Sequence, residues 1–162
     1  NSKLSFYIYS NYYSGGGLGS KGIRFKKDFL TNLPVKQISI ELQQPFIKKS
    51  DEMHSLNKDL QELSSKFQRN LQRQFPEALE KLPTKLQNWY TLGFADFIKE
   101  LKKKKVKLSL AQEAEWEEYF LTEQEKATQL KTQINQTDKQ IDQMVYDLYG
   151  LTEEEIEIVE NS

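Results

Sequence analysis

The residues that carry catalytic chemistry elsewhere occur in this chain only in unsuitable contexts. Gly15–Gly19 matches a G-x-G-x-G pattern of the sort that cradles a nucleotide-like cofactor. That pattern works between a strand and the N-terminus of a helix, with an acidic residue further on. Here tyrosines precede the glycines and a basic segment follows them. We therefore interpret these residues as a loop that is flexible or faces a nucleic acid.

One acidic set and one histidine also invite a catalytic interpretation. Asp96, Glu100 and Lys102 resemble the acid, acid-x-Lys set of metal-dependent nucleases, which place their acids on neighbouring strands around Mg²⁺. All three lie within seven residues of one predicted helix, so we interpret them as a solvated charged face. His54 stands alone beside Met53 and favours a surface position. The sequence therefore predicts no catalytic residue, no metal ligand and no cofactor for this chain.

Two basic clusters give a better signal, and it is one for binding. The first lies beside the glycine-rich loop, which can approach a phosphate backbone closely, and aromatic side chains are interleaved with it. Its predicted DNA-binding residues are Ser20, Lys21, Arg24, Lys26 and Lys27. A second basic patch comprises Lys102, Lys103, Lys104 and Lys105, flanked by Lys99 and Lys107. Ordinary lysine-rich surface remains the alternative for both clusters.

The charge is distributed unevenly along the 162 residues, although the net charge is only −1. Residues 1–50 carry eight Lys/Arg and two Asp/Glu (+6), and residues 51–108 carry twelve and eight (+4). Residues 109–162 carry three and fourteen (−11). A polyanion should therefore meet the first two thirds of the chain and be repelled by the last third. Mutual attraction of the two parts is the alternative.

Composition restricts the compartment and the class of protein. There is no cysteine, so disulfides and thiolate metal sites are absent, and we predict a reducing, cytoplasmic location. No apolar run approaches the ~18 residues that a membrane span requires, so no membrane partner is expected. The chain opens on Asn1 rather than Met, which indicates that it was cut from something larger.

The first part of the chain reads as the irregular edge of an α/β domain, which we assign to residues 1–49. Residues 1–13 are ambiguous between helix and strand because tyrosine and phenylalanine fit either. Alternation of apolar and polar residues predicts strands at Ile23–Lys26 and Val35–Ile40, and Asp28–Leu33 can form one helical turn.

Residues 50–162 have the pattern of a helical scaffold. From Ser50 an apolar stripe recurs at steps of three and four residues: Met53, Leu56, Leu60, Leu63, Phe67, Leu71 and Phe75. Pro76 and Pro83 interrupt the chain, and a third helix with a broad aromatic face then runs from Leu86 to Leu101.

A very long helix should follow, from about residue 109 to 149. Ser109 and Gln112 form a predicted capping box at its start, and Gly150 suits the position just after its end. Its stripe reads Trp116, Phe120, Ala127, Leu130, Ile134, Ile141, Val145 and Leu148, with weak points at Glu123 and at Thr137/Asp138. Thr152 and Glu155 form a second capping box for a short terminal helix, 153–159.

These elements predict a mainly α fold. A helix of about 60 Å with a narrow apolar stripe needs a partner stripe, and the Met53–Phe75 helix supplies one. We expect an antiparallel, coiled-coil-like pair of long helices, the aromatic-faced helix packed near its end, and a small irregular α/β segment at the N-terminus.

Several segments, among them Asn1–Leu4, Ile23–Pro34 and above all Ile141–Ile156, resemble a known family. That family is the type IIG restriction–modification enzymes and relatives with a TaqI-like C-terminal specificity domain. The ending Ile141–Ile156 (IDQMVYDLYGLTEEEI) looks like the typical C-terminal ending of these proteins. The segments that resemble the end of a target recognition domain are Asn1–Leu4, the glycine-rich loop and Ile23–Pro34. The segments similar to the helices that follow such a domain are Gln43–Ile47, Met53, Leu56–Lys58, Trp89, Leu92–Phe94, Phe97 and Glu115–Trp116.

The resemblance implies a parent protein that methylates adenine N6 with S-adenosylmethionine, often with a nuclease, and hence Mg²⁺, attached at its N-terminus. The family's Asn/Asp-Pro-Pro-Tyr/Phe catalytic motif is missing from this chain. What remains would be the last part of the DNA-reading domain and its helical support. Its expected partners are double-stranded DNA, through the parent, and the methyltransferase domain of the same polypeptide.

A second hypothesis comes from a different class of protein. The helical pair would be a scaffold that docks other domains or dimerises, with no direct contact to DNA. Self-association without DNA retention would favour this scaffold, whereas DNA retention would favour the recognition fragment.

Overall fold

The computed structural model describes residues 2–13, 31 and 33–162. Within these ranges all regular secondary structure is helical, which confirms the predicted mainly α class. The elements, in chain order, are α1 (Lys3–Ile8) with a π-helical turn (Tyr9–Tyr13), α2 (Ile40–Gln74), α3 (Thr84–Gln87), a 3₁₀ turn (Trp89–Thr91), α4 (Phe94–Lys103), α5 (Leu110–Tyr149) and α6 (Glu153–Glu160). No helix of the described ranges is both long and apolar enough to cross a membrane.

The N-terminal segment differs from its prediction. The strand expected at Val35–Ile40 is wrong, because residues 34–39 have no regular secondary structure and Ile40 already begins α2. Both Val35 and Ile40 are exposed, so their alternation does not mark the buried face of a sheet. The ambiguity over residues 1–13 is resolved as helix, with Ser2 capping α1 through the Ser5 N–H. The strand predicted at Ile23–Lys26 lies outside the described residues, as does most of the turn predicted at Asp28–Leu33.

Helix α2 begins thirteen residues before Met53, the first residue of the apolar stripe. It starts at Ile40 and contains Pro45, whose missing N–H leaves one intrahelical hydrogen bond unmade. Residues 40–52 of the helix are almost entirely exposed, apart from the half-buried Phe46 and Lys49. The change of pattern at Ser50 therefore marks where the helix becomes buried, and does not mark where it starts.

Residues 53–135 form a compact unit around an aromatic core. The fully buried Phe67 of α2 stacks on Trp89, with ring centroids 3.7 Å apart, and on Tyr119 of α5 at 5.4 Å. Further along α2, Phe75 contacts Trp116, which is one turn earlier in α5. Moving from Phe67 to Phe75 towards the C-terminus of α2, the contacted residue of α5 moves from Tyr119 back to Trp116. The two helices are therefore antiparallel, as predicted.

Side-chain amides of the same unit form hydrogen bonds between its helices and to the 3₁₀ turn. The Asn70 side-chain amide donates to the Tyr119 hydroxyl over 2.9 Å, across the helix pair. The Gln124 amide donates to the carbonyls of Tyr90 and Leu92, at 3.0 and 2.6 Å. Since these carbonyls belong to and follow the 3₁₀ turn, α5 also holds the connection that leads into α4.

The second compact unit comprises residues 1–52 and 136–162, of which residues 2–13, 31, 33–52 and 136–162 are described. One cluster of buried apolar residues in this unit comprises Leu4 of α1, Tyr146 of α5 and Val159 of α6. Each comes from a different helix, so α1 and α6 both pack against the end of α5. The terminal helix, predicted at 153–159, spans Glu153–Glu160.

The ends of α5 and the start of α6 have the predicted capping. The Ser109 N–H donates to Gln112 Oε1 (3.0 Å), and the Gln112 N–H donates to Ser109 Oγ (3.3 Å). At the other end, Gly150 has a φ of +70° and the Leu151 N–H donates to the Tyr146 carbonyl (3.1 Å). This is a Schellman motif, and its positive φ explains the glycine. Thr152 and Glu155 form the predicted capping box of α6.

The two weak points in the stripe of α5 are buried positions. Glu123 is 5% exposed and pairs with Lys126, whose Nζ lies 2.5 Å from its carboxylate. Thr137, in the other unit, is 2% exposed and its hydroxyl donates to Glu52 over 3.4 Å. The buried face of α5 therefore continues through both residues, with polar side chains in place of apolar ones.

Candidate functional site

A strongly basic described surface is formed at the end of α4 and in the loop that follows it. The chain leaves α4 through a Schellman motif in which Lys105, with φ +62°, occupies the position that usually holds glycine. The Lys105 N–H donates to the Lys102 carbonyl (2.9 Å) and the Val106 N–H donates to the Leu101 carbonyl (3.1 Å). Leu101 and Val106 are buried, so the loop is anchored at both ends and the lysines between them are exposed.

A buried carboxylate draws lysines from two helices into this surface. Glu100 of α4 is 9% exposed, and its Oε1 lies 2.8 Å from Lys103 Nζ and 3.6 Å from Lys85 Nζ. The hydrogen bond from Lys103, with help from Lys85, holds the pKa of Glu100 below its ordinary value. The carboxylate therefore stays ionised and fixes Lys85 of α3 beside the end of α4.

We define the basic patch as seven lysines: Lys85, Lys99, Lys102, Lys103, Lys104, Lys105 and Lys107. Two carboxylates are interspersed, Glu100 and Asp96, the latter 2.8 Å from Lys99. Seven positive charges against two negative ones leave a net charge of +5. Exposed ammonium groups of this density attract phosphates and other anions.

Of the two basic clusters predicted from the sequence, the second lies within the described residues and the first lies outside them. Lys102–Lys105 are all exposed and belong to the basic patch. Ser20, Lys21, Arg24, Lys26 and Lys27, the predicted first cluster, lie outside the described residues. Sequence reasoning missed Lys85, which joins the patch only through Glu100. The available signal was a carboxylate on the aromatic, buried side of α4, which needs a cationic partner.

The acidic set that resembles a nuclease site is divided by burial. Asp96 is exposed and paired with Lys99, as a solvated face predicts, but Glu100 is buried and the expectation is wrong for it. Glu100 is one turn from the buried Phe97 and next to Leu101, which removes it from solvent. His54 is exposed, as predicted. In the described ranges no three His, Cys, Asp or Glu side chains are grouped so that they could hold a metal ion.

A second polar centre lies where α1 packs on α5 and α6. The Lys3 backbone N–H donates to Asp142 Oδ1 (2.8 Å), and the Tyr146 hydroxyl donates to Glu160 Oε1 (2.8 Å). The Lys3 ammonium group pairs with Glu160. Burial raises the pKa of Asp142, and burial together with the Glu160 hydrogen bond raises that of Tyr146, which stays protonated. These groups satisfy one another, and their arrangement docks α1.

Comparison with known proteins identifies a family for the helical part of the chain. Residues 39–145 match the family described as a domain of unknown function, DUF8810. The matched range begins one residue before α2 and ends within α5, so it includes the basic patch and the Phe67 core. Comparisons with curated proteins and with solved structures gave no significant match. Because the matched range covers more than half of its residues, the chain belongs to the DUF8810 family.

Proposed function

We propose that this chain is a non-catalytic DNA-recognition and helical support fragment of a cytoplasmic type II restriction–modification protein, an adenine methyltransferase with or without endonuclease activity. The fragment carries no cofactor of its own. S-adenosylmethionine, and Mg²⁺ for any cleavage step, would be bound by the parent. Double-stranded DNA and the parent's methyltransferase domain are its proposed partners.

The basic patch is the observation that carries this proposal. Its net charge of +5 is held by a loop with buried anchors at Leu101 and Val106. Lysines contact phosphates, which position a protein on DNA without reading its sequence. The patch would therefore supply the sequence-independent part of the affinity, and Ser20, Lys21, Arg24, Lys26 and Lys27 would contact phosphates or base edges.

The resemblance of the chain's ending to restriction–modification proteins supports the same proposal. That ending, Ile141–Ile156, includes the last two turns of α5, the Gly150 turn and the capping box of α6. Residues 109–162 carry −11, so they suit a supporting role and repel DNA.

The proposal is tested by the salt dependence of DNA binding. Replacing Lys102, Lys104 and Lys107 with Gln removes three charges and leaves the Glu100–Lys103 pair and the Lys105 turn intact. We expect weaker binding to duplex DNA and a slope of log K against log salt that is shallower by roughly 2 to 3, because each lost phosphate contact contributes about 0.9. Titrations of fluorescent duplex at several salt concentrations measure both quantities.

Matched controls separate the basic patch from charge in general. Lys58, Lys66 and Lys131 are exposed lysines of α2 and α5 outside the patch. The corresponding triple Gln variant should keep the slope of the unmodified chain. An equal loss in both variants, or none in the patch variant, contradicts the assignment of the patch to DNA binding.

The alternative, a protein-interaction scaffold, is favoured by the exposed start of α2. Ile40 is 71% exposed, and Leu42 and Ile47 are also exposed on the same three turns. A groove of about 710 Å³ lies beside them, between α2, the residues before it and the end of α5, lined in part by Val35, Phe46 and Tyr149. Apolar side chains gathered at one place on a surface are typical of a docking site.

Sedimentation combined with a gel shift distinguishes the scaffold from the DNA-binding fragment. A scaffold should self-associate with rising concentration and retain no DNA, and Ile40→Ser with Ile47→Ser should abolish the association. A monomer that retains duplex DNA would instead favour the recognition fragment.

A further inference from the structure

An apolar groove lies at the turn between α5 and α6, within the unit that also contains α1. Its volume is about 450 Å³, in the range of ligand pockets. It is lined mainly by apolar side chains: Leu4, Tyr7, Ile8, Pro34, Tyr149, Leu151, Ile158 and Val159. Gly150 also lines the groove, and a Cβ at this residue would meet no atom within 4 Å.

Hydrogen bonds join two of the segments that line the groove. The Tyr149 hydroxyl donates to the Pro34 carbonyl (2.7 Å) and accepts from the Lys36 N–H (3.0 Å). The Lys36 ammonium donates to the Leu148 carbonyl at the end of α5 (2.8 Å). These contacts fasten the segment before α2 to the end of α5, and the groove walls are therefore preformed.

One apolar side chain of α6 stays exposed at the rim. Ile158 is 56% exposed, whereas its neighbour Val159 is buried against α1 and α5. Single exposed apolar residues are common on protein surfaces. Ile158 differs because it borders a concave apolar surface. A partner's side chain placed there would bury Ile158 and the apolar groove together.

The charges around the groove specify the partner. Residues 136–162 carry eight acidic residues and one lysine, a net charge of −7. Two described lysines of the other lining segments lie nearby and are engaged, Lys3 with Glu160 and Lys36 with the Leu148 carbonyl. Glu154, one turn before Ile158, and Glu157, next to it, are both exposed. This field repels nucleic acids and the anionic surface of a membrane, and it attracts a cationic protein segment.

We propose that this groove docks a cationic amphipathic helix of a protein partner. Apolar side chains at steps of three and four residues would enter the groove beside Ile158, and lysine or arginine side chains on the flanks would face Glu154 and Glu157. The basic patch lies on other elements, α3, α4 and the loop after α4. The chain would therefore use one surface for an anionic partner and another for a cationic one.

The test uses the full chain and a synthetic amphipathic peptide, with leucine at the helical steps and lysine elsewhere. Fluorescence anisotropy of the labelled peptide measures its affinity. We expect saturable binding that weakens with salt, and no binding when the lysines are replaced by glutamate. Ile158→Ser should weaken binding roughly tenfold, because one buried isoleucine contact is lost. Glu154→Gln with Glu157→Gln should weaken binding and reduce its dependence on salt.

The matched control is Leu121→Ser, since Leu121 is 50% exposed on α5 in the other unit. It should leave the affinity unchanged. Equal effects of Ile158→Ser and Leu121→Ser would show nonspecific binding to acidic helices and would overturn the proposal. Sedimentation of the unmodified chain is decisive in the same way, because self-association that Ile158→Ser abolishes would assign the groove to a second copy.

Discussion

Lys105 is in an unfavourable backbone conformation at the turn that presents the basic patch. Its φ of +62° lies in the left-handed region, which costs a residue with a Cβ roughly 1–2 kcal/mol. Glycine normally occupies this position of a Schellman motif, as Gly150 does at the end of α5. Compared with glycine, a lysine at this position therefore lowers the stability of the fold and adds a positive charge to the basic patch.

Lys105→Gly should consequently stabilise the fold. We expect a gain of about 0.5–1 kcal/mol, since the gain in backbone conformation exceeds the entropic cost of glycine. Urea denaturation monitored by circular dichroism measures it as a higher midpoint with an unchanged slope. Lys104→Gly removes the same charge at a residue with negative φ and should stabilise nothing. A midpoint that rises equally in both variants would assign the effect to charge.

Burial also determines the role of individual polar residues. Glu123 and Thr137 interrupt the apolar stripe of α5 in the sequence, yet both side chains are nearly inaccessible. Each has a partner in the structure, Lys126 for Glu123 and Glu52 for Thr137. A buried polar group with a partner is tolerated in a packed helix pair, whereas one without a partner is costly. These two positions are therefore part of the packed face of α5.

At the scale of the elements, α1 depends on α5 and α6 for its position. It is only six residues long, so it is too short to be stable alone. Leu4 packs on Tyr146 and Val159, and Asp142 accepts the Lys3 N–H at the helix start. Glu160 joins the Lys3 ammonium and the Tyr146 hydroxyl. Docking of α1 is thus controlled by carboxylates.

The pH dependence of this docking follows from the pKa of Glu160. The hydrogen bonds from Lys3 and Tyr146 hold the pKa of Glu160 below its ordinary value of 4.5. The stabilisation is present above that ordinary value and is lost as the pH falls through the depressed pKa. Glu160→Gln should therefore raise the hydrogen-exchange rates of the α1 amides severalfold at most at pH 7, since the pair is partly exposed. The difference from the unmodified chain should shrink progressively as the pH is lowered below 4.5.

Asp142→Asn is the contrasting variant. Burial raises the pKa of Asp142, so its ionised form opposes folding increasingly as the pH rises through the raised pKa. Asparagine keeps an oxygen to accept the Lys3 N–H without the charge. At pH 7 the α1 amides should exchange no faster in this variant than in the unmodified chain. Faster exchange in Asp142→Asn would show that the buried charge itself holds α1.

At the scale of the whole molecule, the family boundaries and the core coincide. Residues 39–145 of the DUF8810 match contain every residue of the core around Phe67, from Leu60 to Ile134. None of the described residues before 39 (2–13, 31 and 33–38) contributes to that core. The described part of the chain therefore places its main source of stability inside the matched range.

A shortened chain of residues 39–149 should keep this core. We expect near-ultraviolet circular dichroism from Trp89 and Trp116, and a cooperative thermal transition, to persist. In the shortened chain, Phe67→Ala removes the ring on which Trp89 and Tyr119 stack. It should lower the free energy of unfolding by about 3–5 kcal/mol and abolish the thermal transition. Leu121→Ser, at an exposed residue, should leave the transition intact. A shortened chain with no transition would show that the remaining residues are needed for folding.

The sequence by itself determined the features that depend on neighbouring residues. Helix α5 extends as predicted, because Ser109 and Gln112 cap it and Gly150 allows the turn that ends it. The antiparallel pairing followed from two apolar stripes that each needed a partner, and aromatic residues at steps of three and four gave the core around Phe67. The exposure of Lys102–Lys105 was also predictable, since a run of four lysines is too costly to bury.

Only the tertiary structure decided the features that depend on distant residues. The apolar residues at Val35–Ile40 alternate as in a strand, yet no described strand pairs with them, and α2 begins there instead. Lys85 joins the basic patch because Glu100 is buried 15 residues later, and α1 is fixed by Asp142 and Glu160. Backbone pairing, desolvation and ion pairing between distant residues depend on which elements meet in space. The spacing of residues along the sequence does not specify those meetings.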